Sequence, residues 1–132
     1  MSPRTYRDFL LPVHQEITAR LACPTILHIC GDTTNRLEHI ARAGFDAFHF
    51  DSKVNAAEAM RIVDGRVTLI GNVNNAETLL KGTPAQVKAE VRELLRAGVP
   101  VVGPECAVPL ITPNANLAAI AEAASEWKGS RG

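Results

Sequence analysis

His28 and Cys30 stand one residue apart near the end of the apolar run Pro24 to Cys30. A strand's period of two would turn both side chains to the same face. A second sulfur, Cys106, follows another short apolar run, Val99 to Gly103. If the two runs are neighbouring parallel strands, their carboxyl ends open on one side and an imidazole and two thiols can converge. Such a donor set suits zinc, and three protein ligands leave a fourth tetrahedral position for water or substrate. A thiol entering that position would be held as thiolate at neutral pH, which makes alkyl transfer to sulfur the natural chemistry. The plain alternative is that these are buried side chains, because free cysteine is among the most buried residue types.

The elements that must position these groups are legible as a rhythm. From Leu21 onward short apolar runs alternate with longer amphipathic ones, the pattern of repeated strand-helix units around a parallel sheet. The expected strands are Pro24 to Cys30, Ala47 to Asp51, Val67 to Val73 and Val99 to Gly103. Each is short and uniformly apolar, as suits a strand covered on both faces. The expected helices are Asn35 to Ala43, Asn55 to Val63, Ala76 to Leu80 with Pro84 to Ala97, and Asn114 to Trp127. Thr83-Pro84 supplies an N-cap hydroxyl and a first-turn proline, while Gly98 and Gly44 stand where left-handed residues would end their helices. A further helix from Ser2 carries Tyr6, Phe9, Leu10, Val13 and Ile17 on one stripe, with Pro12 as an internal fault. The tail Lys128 to Gly132 is polar and glycine-rich and is expected to fray.

Parallel β/α folds gather chemistry at the carboxyl ends of their strands. Besides the three ligands, those ends carry Asp51, Gly71-Asn72 and Glu105. Asp51 could orient a ligand or accept a proton, or it could cap the following helix. His49, between Phe48 and Phe50, is expected to be a packing histidine. His14 and His39 are expected to be solvated, and Cys23 to be a small core or surface residue.

Composition bounds the rest. The 132 residues suffice for one domain spanning 1–132, and 46% hydrophobic with 21% charged residues is the balance of an ordinary globular protein. Lys plus Arg and Asp plus Glu each number 14, so no net field exists to attract nucleic acid or an anionic membrane. The absence of an apolar leader or an 18-residue apolar run points to the cytoplasm. Three cysteines do not describe a disulfide framework.

Several stretches, in order, are similar to the methylcobalamin:coenzyme M methyltransferases of the uroporphyrinogen decarboxylase superfamily. They are Ser2-Pro3 with Tyr6 to Pro12, Thr25 to Thr34, Gly71-Asn72-Val73, Gly82-Thr83-Pro84, and Thr112-Pro113 with Asn116-Leu117. The resemblance implies an α/β fold, a (β/α)8 TIM barrel of which this chain is the C-terminal half: four parallel β/α units, strands five to eight, preceded by an N-terminal helix. It implies zinc on His28, Cys30 and Cys106. At the neighbouring strand ends, Gly71 and Asn72 are expected to bind cofactor and Asp51 and Glu105 to be catalytic. The resemblance further implies a small thiol substrate such as coenzyme M, methylated by methylcobalamin carried on a partner corrinoid protein. The chain departs from the family in two ways. Glu105 and Ala107 flank Cys106 where the family has glycines, so Glu105 could tune the site or spoil it. A full barrel takes about 250 residues, so the first four strands are missing and a lone chain would hold ligands without a complete active site. Open sheet edges favour pairing, through a homodimer closing a barrel-like ring or through a separate chain carrying the first half; an open-sheet monomer is the remaining form. The alternatives in function are a silent zinc-binding or assembly fragment, methyl transfer to homocysteine as in cobalamin-independent methionine synthases, and uroporphyrinogen decarboxylation, which needs no metal and gives Cys106 no role.

Overall fold

The computed structural model describes residues 1–129; Ser130 to Gly132 of the polar tail lie outside the described residues. The chain is an α/β structure built on a parallel sheet in the order β1 (Ile26–Ile29), β2 (Ala47–Phe50), β3 (Thr68–Ile70). The register sets Leu27 beside Phe48 and Phe48 beside Leu69, one row of side chains on one face. That row packs into a core with helix residues such as Leu37, Val63, Val87 and Val91. The opposite row, Ile26, His28, His49 and Ile70, is less covered among the described residues: Ile26 is 63% exposed, His28 is exposed, and His49 and Ile70 are half-buried. Apolar strands expected to be covered on both faces are therefore fully covered on only one. That is unusual for an all-parallel sheet and leaves apolar surface in water.

The expected fourth strand, Val99 to Gly103, is not a continuous ladder. It touches β3 and its extension through two isolated parallel bridges, Ile70 with Val101 and Val73 with Pro104. The backbone still runs alongside, with the Val73 N–H donating to the Gly103 carbonyl (2.9 Å) and the Glu105 N–H to the Val73 carbonyl (2.9 Å). Pro100 and Pro104 have no N–H to donate, which denies the segment a regular pattern. The expectation of four equal strand-helix units is corrected to three paired strands and a bridged fourth segment.

The helices follow their punctuation. They are α1 (Pro3–Thr5), α2 (Leu11–Arg20), α3 (Leu37–Ile40), α4 (Ala56–Val63), α5 (Pro84–Arg96) and α6 (Asn114–Glu126). Asn55 caps α4, and Thr83 with Gln86 forms a capping box on α5. Gly44 and Gly98 adopt φ of 88° and 91°, as their places after helices require. Among the described residues no helix is long and apolar enough to cross a membrane.

Pro12 stands in the first turn of α2, just after the π-helical turn Tyr6–Leu10 through which α1 joins it. One extra residue in the turn shifts the helical phase. The stripe expected to be continuous is therefore split: Tyr6 is buried, whereas Phe9 (71% exposed), Val13 and Ile17 face water. The buried end gathers histidines that were expected to be solvated. The Tyr6 hydroxyl is 2.9 Å from His14 Nδ1, His14 meets the Phe45 ring edge-on at 5.3 Å, and His39 stacks on Tyr6 at 6.5 Å. The helix lays Tyr6 against His39 of α3 and His14 against Phe45, so both histidines are half-buried. Burial drives the Tyr6 phenol up to about 12, opposed by the Arg36 charge, and lowers the pKa of His14.

This has a pH consequence. Below His14's ordinary pKa of about 6.5 the unfolded chain binds more protons at this position than the folded one does. The contribution is therefore fully present above about pH 6.5 and is lost as the pH falls through and below that value. Denaturation midpoints measured between pH 7.5 and 5.5 with chelator present should decline for the wild type and decline less for His14→Gln. Equal slopes would remove His14 as the cause.

Candidate metal centre

β1 and the residue just after it place the first two candidate ligands. Because Ile29 points into the core, His28 on one side of it and Cys30 on the other stand on the less covered face of the sheet. The segment bridged to β3 carries Cys106 to the same point. His28 Nε2 and Cys30 Sγ are 3.1 Å apart, Cys30 Sγ and Cys106 Sγ 3.0 Å, and Cys106 Sγ and His28 Nε2 3.4 Å. The two sulfurs are well beyond a disulfide length of about 2.05 Å, and all three cysteines are free thiols. A tetrahedral ion with bonds of about 2.0–2.3 Å holds such ligands roughly 3.5–3.8 Å apart. Side-chain shifts of less than about an ångström would open the triangle to that size, so the residues fit zinc.

The Cys30 thiol is pushed above its ordinary value by its hydrogen bond with Cys106, then by desolvation, then by the negative charges of Cys106, Asp51 and Glu105. Two adjacent thiolates beside two carboxylates need a cation to coexist.

Each ligand is held from behind. The His28 Nδ1–H donates to the His49 carbonyl at 3.2 Å, which leaves Nε2 with a free lone pair aimed at the sulfurs. This is the arrangement that orients metal-bound histidines. Asp51, expected to be either catalytic or a cap, is a buried loop clamp: Gly31 N–H donates to its Oδ2 (2.7 Å) and Lys53 N–H to its Oδ1 (3.0 Å). Desolvation alone would raise its carboxyl, but the Lys53 and Gly31 amides and the Lys53 charge hold it below its ordinary value. Glu105 is buried in the same manner, accepting from Ser52 N–H (2.9 Å) and Asn75 N–H (2.7 Å), and so ties the Cys106 loop to its neighbours. Asn75 adds a hydrogen bond from its Nδ2 to the Ala107 carbonyl (2.8 Å).

Asn72 and Gly71 lie under this network. The buried Asn72 amide donates to the carbonyls of Asp51 and Val54, both at 3.0 Å. At Gly71 the strand passes so close to β2 that an added Cβ would lie 2.8 Å from the Phe50 carbonyl oxygen. Cys23 is exposed and takes no part. The residue that inspection of the sequence undervalued is His49. Its register with His28 places both rings on one face, 4.5 Å apart, and its Nε2–H donates to the Pro104 carbonyl at 2.7 Å. Its signal was available in the alternation Phe48-His49-Phe50, which sends the histidine to the face opposite two core phenylalanines, but only the strand register brings it to His28.

Known proteins share this architecture. A methylated-thiol–coenzyme M methyltransferase of Methanosarcina mazei is 36% identical over 96% of this chain, and a methylcobamide:CoM methyltransferase of Methanosarcina barkeri is 35% identical over 96%. A uroporphyrinogen decarboxylase of Chlorobium phaeovibrioides is 33% identical over 73% of the chain. The solved structure of a methyltransferase from Methanosarcina mazei superposes with a TM-score of 0.91 at 34% identity, covering 96% of this chain and 38% of that one. The chain spans 34% and 38% of the lengths of the two Methanosarcina sequences. Residues 1–127 match the sequence model of the uroporphyrinogen decarboxylase (URO-D) family, and the chain belongs to that family.

Proposed function

We propose that this chain is the zinc-bearing half of a (β/α)8 methyltransferase, moving a methyl group from a methylated corrinoid on a partner protein to a small thiol such as coenzyme M. The observation that carries the reading is the convergence of His28, Cys30 and Cys106, with donor atoms 3.0–3.4 Å apart on the less covered face of a parallel sheet. The Methanosarcina relatives named for the same chemistry support it. Those three side chains would hold zinc, which when bound supplies Lewis acidity that keeps an incoming thiol deprotonated. The chain's own groups do the positioning. Asp51 and Glu105 anchor the loops after β1 and before Cys106, and Gly71 and Asn72 hold the third strand's end under them, beside the ligand and cofactor site. A reducing, cytoplasmic setting suits two free thiols this close together.

Residues 1–132 would form one unit equivalent to strands five to eight of the barrel. The less covered row Ile26, His28, His49 and Ile70 is then the barrel interior, and the rest of the wall comes from a complementing first half or from a second copy. The unusual openness of this face supports that assignment.

The test is methyl transfer from methylcobalamin to coenzyme M, followed by the spectrum of the corrinoid and by thiol consumption. The zinc-loaded chain alone should turn over little or not at all, and addition of a complementing first-half polypeptide should raise the rate by orders of magnitude. If the complemented, zinc-loaded assembly transfers no methyl to any thiol, homocysteine included, the chain is a zinc-binding fragment without this activity.

A further inference from the structure

We infer that His49 is a positioning residue that locks the two separate ligand segments, the β1 end and the Cys106 loop, into one site. The inference rests on the proposed metal-binding role of His28, Cys30 and Cys106 and adds a residue to it. His49 lies between those segments and bonds both, one through its main chain and one through its ring. Its backbone carbonyl accepts from His28 Nδ1 (3.2 Å), and its ring nitrogen Nε2 donates to the carbonyl of Pro104 (2.7 Å), two residues before Cys106. A carbonyl can only accept, so both contacts fix where the protons are: Nδ1 of His28 and Nε2 of His49 carry them. The His28 lone pair that remains points to the sulfurs.

The two rings lie tilted at 35° with centroids 4.5 Å apart, so His49 also limits the swing of the His28 imidazole across the open face. Register makes this geometry obligatory, because His28 and His49 are direct partners in the β1–β2 ladder. The fourth segment has only two bridges to β3, at Val101 and Pro104. Glu105 and Ala107 are held on either side of Cys106, by Ser52 and Asn75, and His49 supplies the side-chain bond on the Pro104 side. Without the imidazole N–H, the Pro104 carbonyl loses its partner and the Cys106 loop loses the tie that runs directly to the strand beside His28.

The experiment uses the full chain in a Cys23→Ser background and three variants, wild type at position 49, His49→Phe and His49→Gln. Phenylalanine keeps a flat ring but has no donor; the glutamine amide restores an N–H. Two readouts are taken. The first is affinity for zinc, with cobalt(II) substituted to report thiolate ligands through its sulfur charge-transfer absorption. The second is the rate at which the metal-free chain forms a Cys30–Cys106 disulfide with diamide, which oxidises the two thiols and is itself reduced to the hydrazine.

Metal affinity in His49→Phe is expected to fall 10–100-fold, the usual cost of removing a group that orients a ligand. Its cobalt-sulfur absorption should weaken and its disulfide should form several-fold more slowly, at unchanged circular dichroism, with His49→Gln recovering most of each. Equal behaviour of His49→Phe and wild type in both assays overturns the inference. So does a loss that His49→Gln shares in full. If the wild type binds no metal yet His49→Phe still slows the thiol pairing, the positioning role stands and the methyl-transfer reading falls.

Discussion

Changing Cys106 to serine should reduce tightly bound zinc from about one equivalent per chain to background, and Cys30→Ser should do the same. Serine keeps the volume but replaces a soft thiolate by a hydroxyl that stays protonated at neutral pH. Structural zinc sites bind with about 10–16 kcal/mol. Removing one of three protein ligands should then cost roughly 3–5 kcal/mol, which is two to four orders of magnitude in affinity. The fold should survive, because Cys30 is exposed and Cys106 half-buried, outside the hydrophobic core. Cys23→Ser, at an exposed sulfur remote from the cluster, is the control and should bind zinc as the wild type does. Metal analysis after dialysis, with competition against a chelator of known affinity, reads both quantities. A Cys106→Ser protein that retains stoichiometric zinc would show that the late sulfur is not a ligand.

The largest expected effect on stability comes from Gly71→Ala. Gly71 has φ of 134°, a region L side chains rarely adopt, and its missing Cβ is the space into which the Phe50 carbonyl oxygen fits at 2.8 Å. Backbone strain of about 1–3 kcal/mol adds to an overpacking cost of about 1–3 kcal/mol. The obstruction cannot be relieved by a rotamer change, because the opposing atom is main chain and Phe50 is fully buried in the core. The sum, roughly 2–6 kcal/mol, is a large part of the 5–15 kcal/mol available to an ordinary domain. The melting temperature should fall by about 10 °C or more. Zinc affinity should fall with it, since a displaced Gly71 disturbs the N–H bond to the Val101 carbonyl (3.0 Å) that ties β3 to the segment leading to Cys106. Gly65→Ala is the matched control: φ is 70°, but nothing lies within 4 Å of the added carbon. If the two substitutions cost the same, steric contact at Gly71 contributes nothing and only the dihedral matters.

The pairing of His28 with Cys30 was legible because their separation obeys a short-range rule. His28 and Cys30 differ by two along a strand, and the side-chain period of two places them together whatever the rest of the chain does. The helix ends were legible for the same reason, since Thr83 with Gln86, Asn55, Gly44 and Gly98 act within a few residues of themselves. The meeting of Cys106 with that pair, 76 residues later, was an expectation drawn from parallel topology, and the 3.0 Å separation belongs to the folded chain.

Where the expectations failed, distance along the chain or a change of phase intervened. A π-helical turn ahead of Pro12 moved Phe9, Val13 and Ile17 off the face of Tyr6, and periodicity counted in steps of 3.6 is blind to one inserted residue. Two prolines reduced the fourth strand to isolated bridges. Asp51 takes one amide from Lys53 beside it and one from Gly31, while both amide partners of Glu105 come from distant loops, which no stretch of sequence announces; their expected catalytic roles are a separate question of chemistry.

By itself, then, the order of residues determined which chemistry the chain can do and where its helices begin and end, because donor types, two-residue spacing and capping are local properties. Only the tertiary structure decided that His28, Cys30 and Cys106 meet on the less covered sheet face, among hydrogen bonds of His49, Asp51 and Glu105 that tie the surrounding segments together. Those outcomes depend on strand register and on contacts between segments 20 to 78 residues apart, and such contacts are set by the packing of the whole core rather than by any stretch of sequence.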